Sequence, residues 1–371
     1  MTKAAELAKM GEVLTNSQIG RKNIIINGGM QISQRSTSVT GLGAASGYFT
    51  LDRFDMTLGN TAGRFTASQS AVTDLEGFSN ALKIDCTTAD TSVAANEFFI
   101  IQSHIEGFDL QQLKATSTTT RAMTLSFYAK SNASRAIATE LRLSNGTNRQ
   151  ASKLHTIGTS WARYTFTVPA SSSMQIDNDN SNEMQVNFWL HGGSDFTGGT
   201  LSATFESSTS GNRAAGIGSV FASTDNEIEI TGVQLEVGSQ ATPFEHRSFG
   251  EEEELCKRYF VKHKAFSPYD RFAVGQCTTT DDVACLFKFY PPLRTNPTLT
   301  TGTLSHLVVT TRTGGAAAID SALVIDTNTD GFLSTIVTCP DINSNPLTAG
   351  EVSYLSANNN VAAFVAFDAE L

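Results

Sequence analysis

From Asn23 to Phe249 the apolar residues come in short runs, separated by Gly, Ser, Thr and Asn, and no stretch between them repeats at helical spacing. The runs are Ile24–Ile26, Arg64–Thr66, Ala81–Ile84, Phe98–Gln102, Met123–Ala129, Ala138–Leu143, Tyr164–Val168, Met184–Leu190 and Ile228–Leu235. Such runs, closed by turn residues, predict strands, and consecutive strands with no intervening helix predict antiparallel sheets. The fold class expected is mainly β, with a jelly-roll β-sandwich over residues 23–250. Only 17% of the residues are charged, and Phe outnumbers Trp by 23 to 2. Thr and aromatic side chains suit a pleated surface, so this balance agrees with sheets.

The flanks differ from the centre. Ala4, Leu7, Ala8, Met10 and Val13 recur at spacings of three and four, which predicts a short amphipathic helix over Thr2–Leu14. A helix of that length is marginal alone in water, so its stripe Leu7, Met10 and Leu14 is expected to bury itself against another chain. Residues 1–22 are therefore read as a docking or oligomerisation segment. After the sandwich, Glu251–Glu254 precede Lys257 and Arg258, the charge order that complements a helix dipole, and predict a helical connector over 251–261. Further strand-like runs, Phe272–Val274, Val283–Tyr290, Leu307–Thr311, Ala322–Ile325, Phe332–Val337 and Val361–Phe367, predict a smaller β domain over 262–371. No internal repeat occurs at a fixed period, which argues against a solenoid or propeller.

Several function classes are disfavoured. The net charge of −10 is spread along the chain without a basic stripe, so binding to nucleic acid or to an anionic membrane surface is not expected. The amino terminus has no apolar core of signal-peptide type, and no apolar run approaches the ~20 residues of a membrane span. No membrane insertion is expected, and the chain should be made and kept soluble in a cytoplasm. Cys86, Cys256, Cys277, Cys285 and Cys339 are scattered and odd in number, which predicts reduced structural thiols.

Candidate chemistry is sparse. Gly216–Val220 lacks the spacing of a serine-hydrolase elbow, and Gly41–Ser46 lacks the third glycine and the βαβ setting of a dinucleotide site. The acids Asp52, Asp177, Asp179, Glu183 and Asp195 show no pairing of the glycosidase kind. Asp177–Asn182 alternates oxygen-bearing side chains but lacks the glycine and distant glutamate of a calcium loop, and reads as an Asx-rich turn or an ion site. None of the six histidines has a partner at the i, i+4 spacing of a helical zinc pair. No catalytic, cofactor or metal residue is assigned, and no cofactor is expected. Trp161 and Trp189 are the candidates for stacking on sugar rings where exposed, although a jelly roll more often uses such residues to fill its core. Thr242–Arg247, stiffened by Pro243, reads as a strap leaving the sandwich, with inter-subunit contact as its candidate role.

Three segments carry a family resemblance. The first runs from Lys3 to Thr15 and on into Asn23-Ile24-Ile25-Ile26-Asn27-Gly28-Gly29-Met30-Gln31, with Gln34-Arg35. The second joins Leu51-Asp52-Arg53-Phe54 to Thr159-Ser160-Trp161 and to Ile230–Gly238, followed by Ala241–Ser248. The third pairs Leu255–Phe260 with the terminal Phe367–Leu371. Together they resemble bacteriophage tail-fibre-like virion proteins that join a jelly roll of carbohydrate-binding-module type to a small β tip.

The resemblance implies a structural, non-enzymatic subunit of a phage particle. Implied with it are a homotrimer, other phage tail or capsid proteins as partners, and attachment to a host cell-surface glycan. The implied location is the virion, as a tail fibre or other surface appendage assembled in the host cytoplasm. A head fibre or decoration protein built from the same modules is one alternative. A polysaccharide-degrading tailspike is another, although such a protein would usually carry the long β-helix repeat that is missing here.

Overall fold

The computed structural model describes Lys3 and residues 21–371 apart from 145–147, 173, 312–314, 327–331, 341 and 343–346. Of the helix expected over Thr2–Leu14 only Lys3, in helical conformation, is among the described residues; Leu7, Met10 and Leu14 lie outside them. The chain divides into two compact units, Met1–Glu252 together with Leu371, and Glu253–Glu370.

The first unit contains β1 (Ser38–Leu42), β2 (Asp55–Gly59), β3 (Arg64–Ala71), β4 (Asn80–Thr88), β5 (Phe98–Glu106) and β6 (Met123–Ser131). It continues with β7 (Arg135–Leu143), β8 (Arg149–Ile157), β9 (Ala162–Val168), β10 (Asn182–Gly192), the single-turn helix α1 (Ser194–Thr197), β11 (Glu206–Ser207) and β12 (Glu227–Val237). They form two six-stranded antiparallel sheets, ordered β1-β3-β4-β12-β6-β9 and β11-β8-β7-β10-β5-β2. This is the jelly-roll sandwich that the short apolar runs predict.

Its core is one continuous layer of inward side chains. In β10, Met184, Val186, Phe188 and Leu190 point between the sheets, as do Leu125 and Phe127 of β6. Phe99 stacks on both Phe65 and Phe221, with centroids 4.6 and 5.5 Å apart, and Phe127 meets Phe188 edge-on at 5.1 Å. Each buried ring of this kind is worth roughly 1.5–3 kcal/mol of transfer free energy.

Ile24–Ile26 is not a strand, contrary to its apolar run. The Asn23 side chain occupies the place of a ladder, accepting from the Ile25 and Leu235 amides at 3.0 and 3.1 Å and donating to the Val233 carbonyl at 3.0 Å. Asn27 then turns the chain in the left-handed region at φ 60°, where an Asn side chain is tolerated. Its amide side chain accepts from the Gln31 and Ile32 N–H groups and donates to the Ile32 and Asp52 carbonyls. Two of the segments that carry the family resemblance thus meet at one polar node. The strap Thr242–Arg247 is bound to its own sandwich: Thr242 and Glu245 donate backbone N–H groups to Glu236 and Gln234, and Arg247 donates to the Asn23 and Ile25 carbonyls.

The connector is helix α2 (Phe249–Lys257), with Glu251 and Glu252 in its first turn and Lys257 in its last. In the second unit, β13 (Phe260–Lys264), β14 (Arg271–Cys277), β15 (Val283–Lys288), β16 (Thr298–Thr301) and β17 (Leu307–Thr311) are followed by β18 (Ala316–Ala318) and β19 (Val324–Ile325). Last come β20 (Ser334–Cys339), β21 (Val352–Ala357) and β22 (Phe364–Asp368). A three-stranded sheet β13-β22-β16 and a seven-stranded sheet β18-β17-β21-β14-β15-β20-β19 enclose Phe287, Phe289, Val337, Leu355 and Phe367. All five cysteines are buried free thiols. Among the described residues, no helix is long and apolar enough to cross a membrane.

Candidate functional site

Alternation along β10 sends Met184, Val186 and Phe188 inward and therefore sends Gln185, Asn187 and Trp189 to the outer face of the second sheet. Strand register then lines up polar residues from neighbouring strands. Asp55, Gln102, Asn187, Glu140 and Ser152 stand opposite one another across β2, β5, β10, β7 and β8. A second row, displaced by two residues, consists of His104, Gln185, Arg142, Gln150 and Glu206.

The first row is hydrogen-bonded from Asp55 to Glu140, while the Ser152 hydroxyl at its end has no partner. Thr57 Oγ1 lies 2.6 Å from Asp55 Oδ2 and 2.5 Å from Gln102 Oε1, and Gln102 Nε2 donates to Asn187 Oδ1 at 3.0 Å. Asn187 Nδ2 and Trp189 Nε1 then donate to Glu140 Oε2 at 2.8 and 2.9 Å. Arg213 completes the set, donating from Nε to Oε1 at 2.8 Å and from Nη2 to Oε2 at 2.9 Å. Glu140 is fully buried yet saturated with donors, the condition under which a buried carboxylate is tolerated.

The second row is not saturated. Gln185 is 9% exposed and its Oε1 has no hydrogen-bond partner, and the Nε of half-buried Arg142 has none either. Burial, and after it the nearby Arg213, lowers the pKa of Arg142 from its ordinary value. Asn182 Nδ2 lies 2.8 Å from His104 Nδ1, and at the margin the Arg35 guanidinium sits 5.0 Å from the Tyr48 ring centroid. Gln185 and Arg142 stand opposite one another in the strand register, and the unpaired carboxamide oxygen of one and the unpaired guanidinium N–H of the other are both shut off from solvent.

The two tryptophans part company. Trp189 is fully buried under Phe98, Phe196 and Ile217, with the Arg213 guanidinium 4.6 Å from its ring centroid. Its ring therefore has no free face for a sugar, and the expectation of stacking there is corrected. Trp161 is half-buried on the opposite sheet, donating from Nε1 to Asp74 Oδ1 at 2.8 Å, with Lys130 Nζ 4.9 Å from its ring. The hydrogen bonds from Trp161 and then Lys130 hold the Asp74 carboxyl below its ordinary range. Beside it, Lys130, Ser131, Asn132, Thr159, Glu227 and Glu229 line a cleft of about 160 Å³. The stretch Asp177–Asn182 is a turn whose carbonyls are already engaged: those of Asp177 and Asp179 accept from Gln111 Nε2 at 2.7 Å and Phe108 N at 2.9 Å.

The polar rows escaped the sequence reading, although the alternation of Gln185 and Asn187 with Met184, Val186 and Phe188 marks the face they share. What that alternation cannot supply is which residues of β2, β5, β7 and β8 stand beside them.

No protein-family model matches the chain, and no curated protein matches it. Among solved structures, the family 11 carbohydrate-binding module of the cellulosomal cellulase Lic26A-Cel5E of Clostridium thermocellum is 11% identical, covering 53% of this chain and 99% of its own, at a TM-score of 0.28. The N-terminal cellulose-binding domain of Cellulomonas fimi β-1,4-glucanase C is 13% identical over 57% of this chain and 100% of its own, at a TM-score of 0.27. The enzymatically active domain of tailspike protein 4 of Bacteriophage CBA120 is 13% identical, covering 58% of this chain and 21% of its own, at a TM-score of 0.29. Similarity this distant leaves the reading of the site to the site's own geometry.

Proposed function

We propose that the protein is a structural, glycan-binding subunit of a bacteriophage particle, of the fibre or appendage type, that performs no covalent chemistry. The observation that carries the binding half is the pair of polar rows that register aligns across the second sheet, the second of them holding the buried, unpaired polar atoms of Gln185 and Arg142. Sugars bind through sets of hydroxyls that both donate and accept, and a fixed planar array recognises them without paying to order side chains. Glu140, the acid at the centre of the face, is committed to Arg213, Asn187 and Trp189, which suits a positioning role rather than proton transfer.

The phage half rests on the three matched segments, and so do the homotrimer, the partnership with other tail or capsid proteins and the virion location. Exposed Val274, Leu286 and Val352 on the strands of the seven-stranded sheet are in keeping with self-association, since contiguous exposed apolar surface marks contact sites.

Purified full-length protein on an array of bacterial surface glycans tests the binding. Retention of defined glycans by the wild type and its loss in Gln185→Ala and Arg142→Ala are expected. No binding by a folded wild type would overturn the reading, and steady release of shortened glycans would replace it with the tailspike alternative. Cryo-electron microscopy of virions decides between tail and head.

A further inference from the structure

Away from the polar face, three ionisable side chains converge at the end of the sandwich where the β4–β5 loop meets the last turn of β10. Asp90 and Glu97 bracket that loop, and His191 is the penultimate residue of the strand. They are 4%, 5% and 0% exposed. One ligand atom from each lies within 4.8 Å of the others, and His191 Nε2 is 3.3 Å from Glu97 Oε2. We infer that Asp90, Glu97 and His191 form a binding site for a divalent metal ion of the zinc type, which ties the β4–β5 loop to the end of β10.

Charge supplies the first reason. Two neighbouring carboxylates buried this deeply repel each other unless a cation or a shared proton stands between them. Neither Asp90 nor Glu97 forms an ion pair with a Lys or Arg among the described residues, and the sole charged partner available is His191. One divalent ion with a neutral imidazole balances both carboxylates.

Geometry supplies the second. A tetrahedral ion with bonds of about 2.0–2.1 Å places its ligand atoms roughly 3.3–3.4 Å apart, which is the separation of His191 Nε2 and Glu97 Oε2. That distance is long for a charged hydrogen bond, which would be expected near 2.7–2.9 Å.

The third reason is the outer set of hydrogen bonds. His191 Nδ1 lies 2.7 Å from Ser219 Oγ, leaving Nε2 free to ligate when Nδ1 carries the proton. Asp90 is oriented by Thr61 Oγ1 at 2.9 Å and by the Ala62 and Ser92 amides at 2.8 and 3.2 Å. Glu97 meets the histidine on one side and the Asp90 carboxyl, within hydrogen-bond reach, on the other. The loop itself is pinned, since Asp90 N donates to the Phe221 carbonyl at 2.8 Å and Gly193 N donates to the Glu97 carbonyl at 2.8 Å. A Cβ on Gly193 would fall 2.0 Å from the Ala94 carbonyl oxygen, so the strand end and loop approach as closely as glycine permits. Two fixed backbones with a set of outer hydrogen bonds between them is the arrangement that orients metal ligands before the ion arrives.

The experiment uses the full-length chain, freed of metal by chelation and checked for folding by circular dichroism. Calorimetric titration with zinc chloride should show one ion per chain, and the melting temperature should rise with free zinc. Glu97→Gln, which keeps the shape of the side chain, should weaken zinc binding by more than about 100-fold, and Ser219→Ala by roughly 10-fold. With cobalt substituted for zinc, visible ligand-field bands without a thiolate charge-transfer band are expected. Absence of uptake by the folded wild type would overturn the inference, as would unchanged affinity in Glu97→Gln. A thiolate band would do so as well, because it would put the ion on cysteines.

Discussion

Arg213 grips Glu140 with two parallel hydrogen bonds while its guanidinium lies over the ring of Trp189, so one side chain from a loop joins the charge, the indole and the sheet. Arg213 is 11% exposed at its side chain and Glu140 is fully buried, which places the pair among desolvated ones. Removing one partner of such a pair strands the other.

Arg213→Ala is therefore expected to cost about 3–5 kcal/mol and to lower the melting temperature of the protein by roughly 10 °C. Glu140→Gln in the same chain should restore part of the loss, because the stranded charge is gone. Thermal melts of the single and double variants measure the coupling, and a purely additive result would mean the pair contributes nothing beyond its separate contacts.

Stability should also depend on pH through His155. Its ring lies edge-on to Phe127 and Tyr164, with Nε2 2.9 Å from Thr139 Oγ1. Burial, aided by Lys153, lowers its pKa from 6.5 to about 4. The unfolded chain takes up a proton below about pH 6.5 while the folded chain does not until about pH 4, so this stabilisation is complete above that window and is lost as pH falls through it. The slope should approach about 1.4 kcal/mol per pH unit within the window. Urea unfolding at pH 7.0 and 5.5 should show the fall, and His155→Gln should flatten it.

Gly232 interrupts β12 at a register shift, with φ 60°. A Cβ there would lie 2.7 Å from Phe78 and 2.8 Å from Tyr128. Gly232→Ala combines left-handed strain with overpacking, for an expected loss of about 2–4 kcal/mol. Equilibrium denaturation checks this, and Phe78→Leu in the same chain should recover part of the loss by making room.

At the strap, Thr242 Oγ1 donates to Glu236 Oε2 at 2.6 Å, and Glu236 is 2% exposed. Glu236→Ala is expected to leave the Thr242 amide and hydroxyl without their acceptor, at a cost of roughly 1–3 kcal/mol, and to speed proteolysis between residues 238 and 248. Limited proteolysis followed by mass spectrometry reads the cleavage positions.

Much of the β architecture was legible in the chain. Met184-Gln185-Val186-Asn187-Phe188 alternates cleanly, and so do the inward Leu125 and Phe127, because a strand with one buried face imposes a period of two. Failures arose where another interaction replaced the pattern. Ile24–Ile26 has strand composition, but the Asn23 side chain takes up its neighbours' backbone groups. In β8, the stretch Arg149–Ile157 went unread because Lys153 interrupts the inward set Ala151, His155 and Ile157 with a charge at the sheet's surface. Trp189 could be placed on a strand from the sequence, yet its burial depended on a loop that returns with Phe196 and Ile217 to cover it.

The sequence by itself determined that this chain builds antiparallel sheets and that its cysteines form no framework of disulfides. Those properties are set by composition and by neighbours two to four residues apart. Only the tertiary structure decided that Gln102, Asn187, Glu140 and Arg213 form one ladder, or that Asp90, Glu97 and His191 share one buried point. Such residues are brought together by strand order and register, and these are fixed by how whole strands pair to bury their apolar faces. The polar residues on the other side are carried into position by that burial, and the local sequence around each of them does not record which neighbours it will meet.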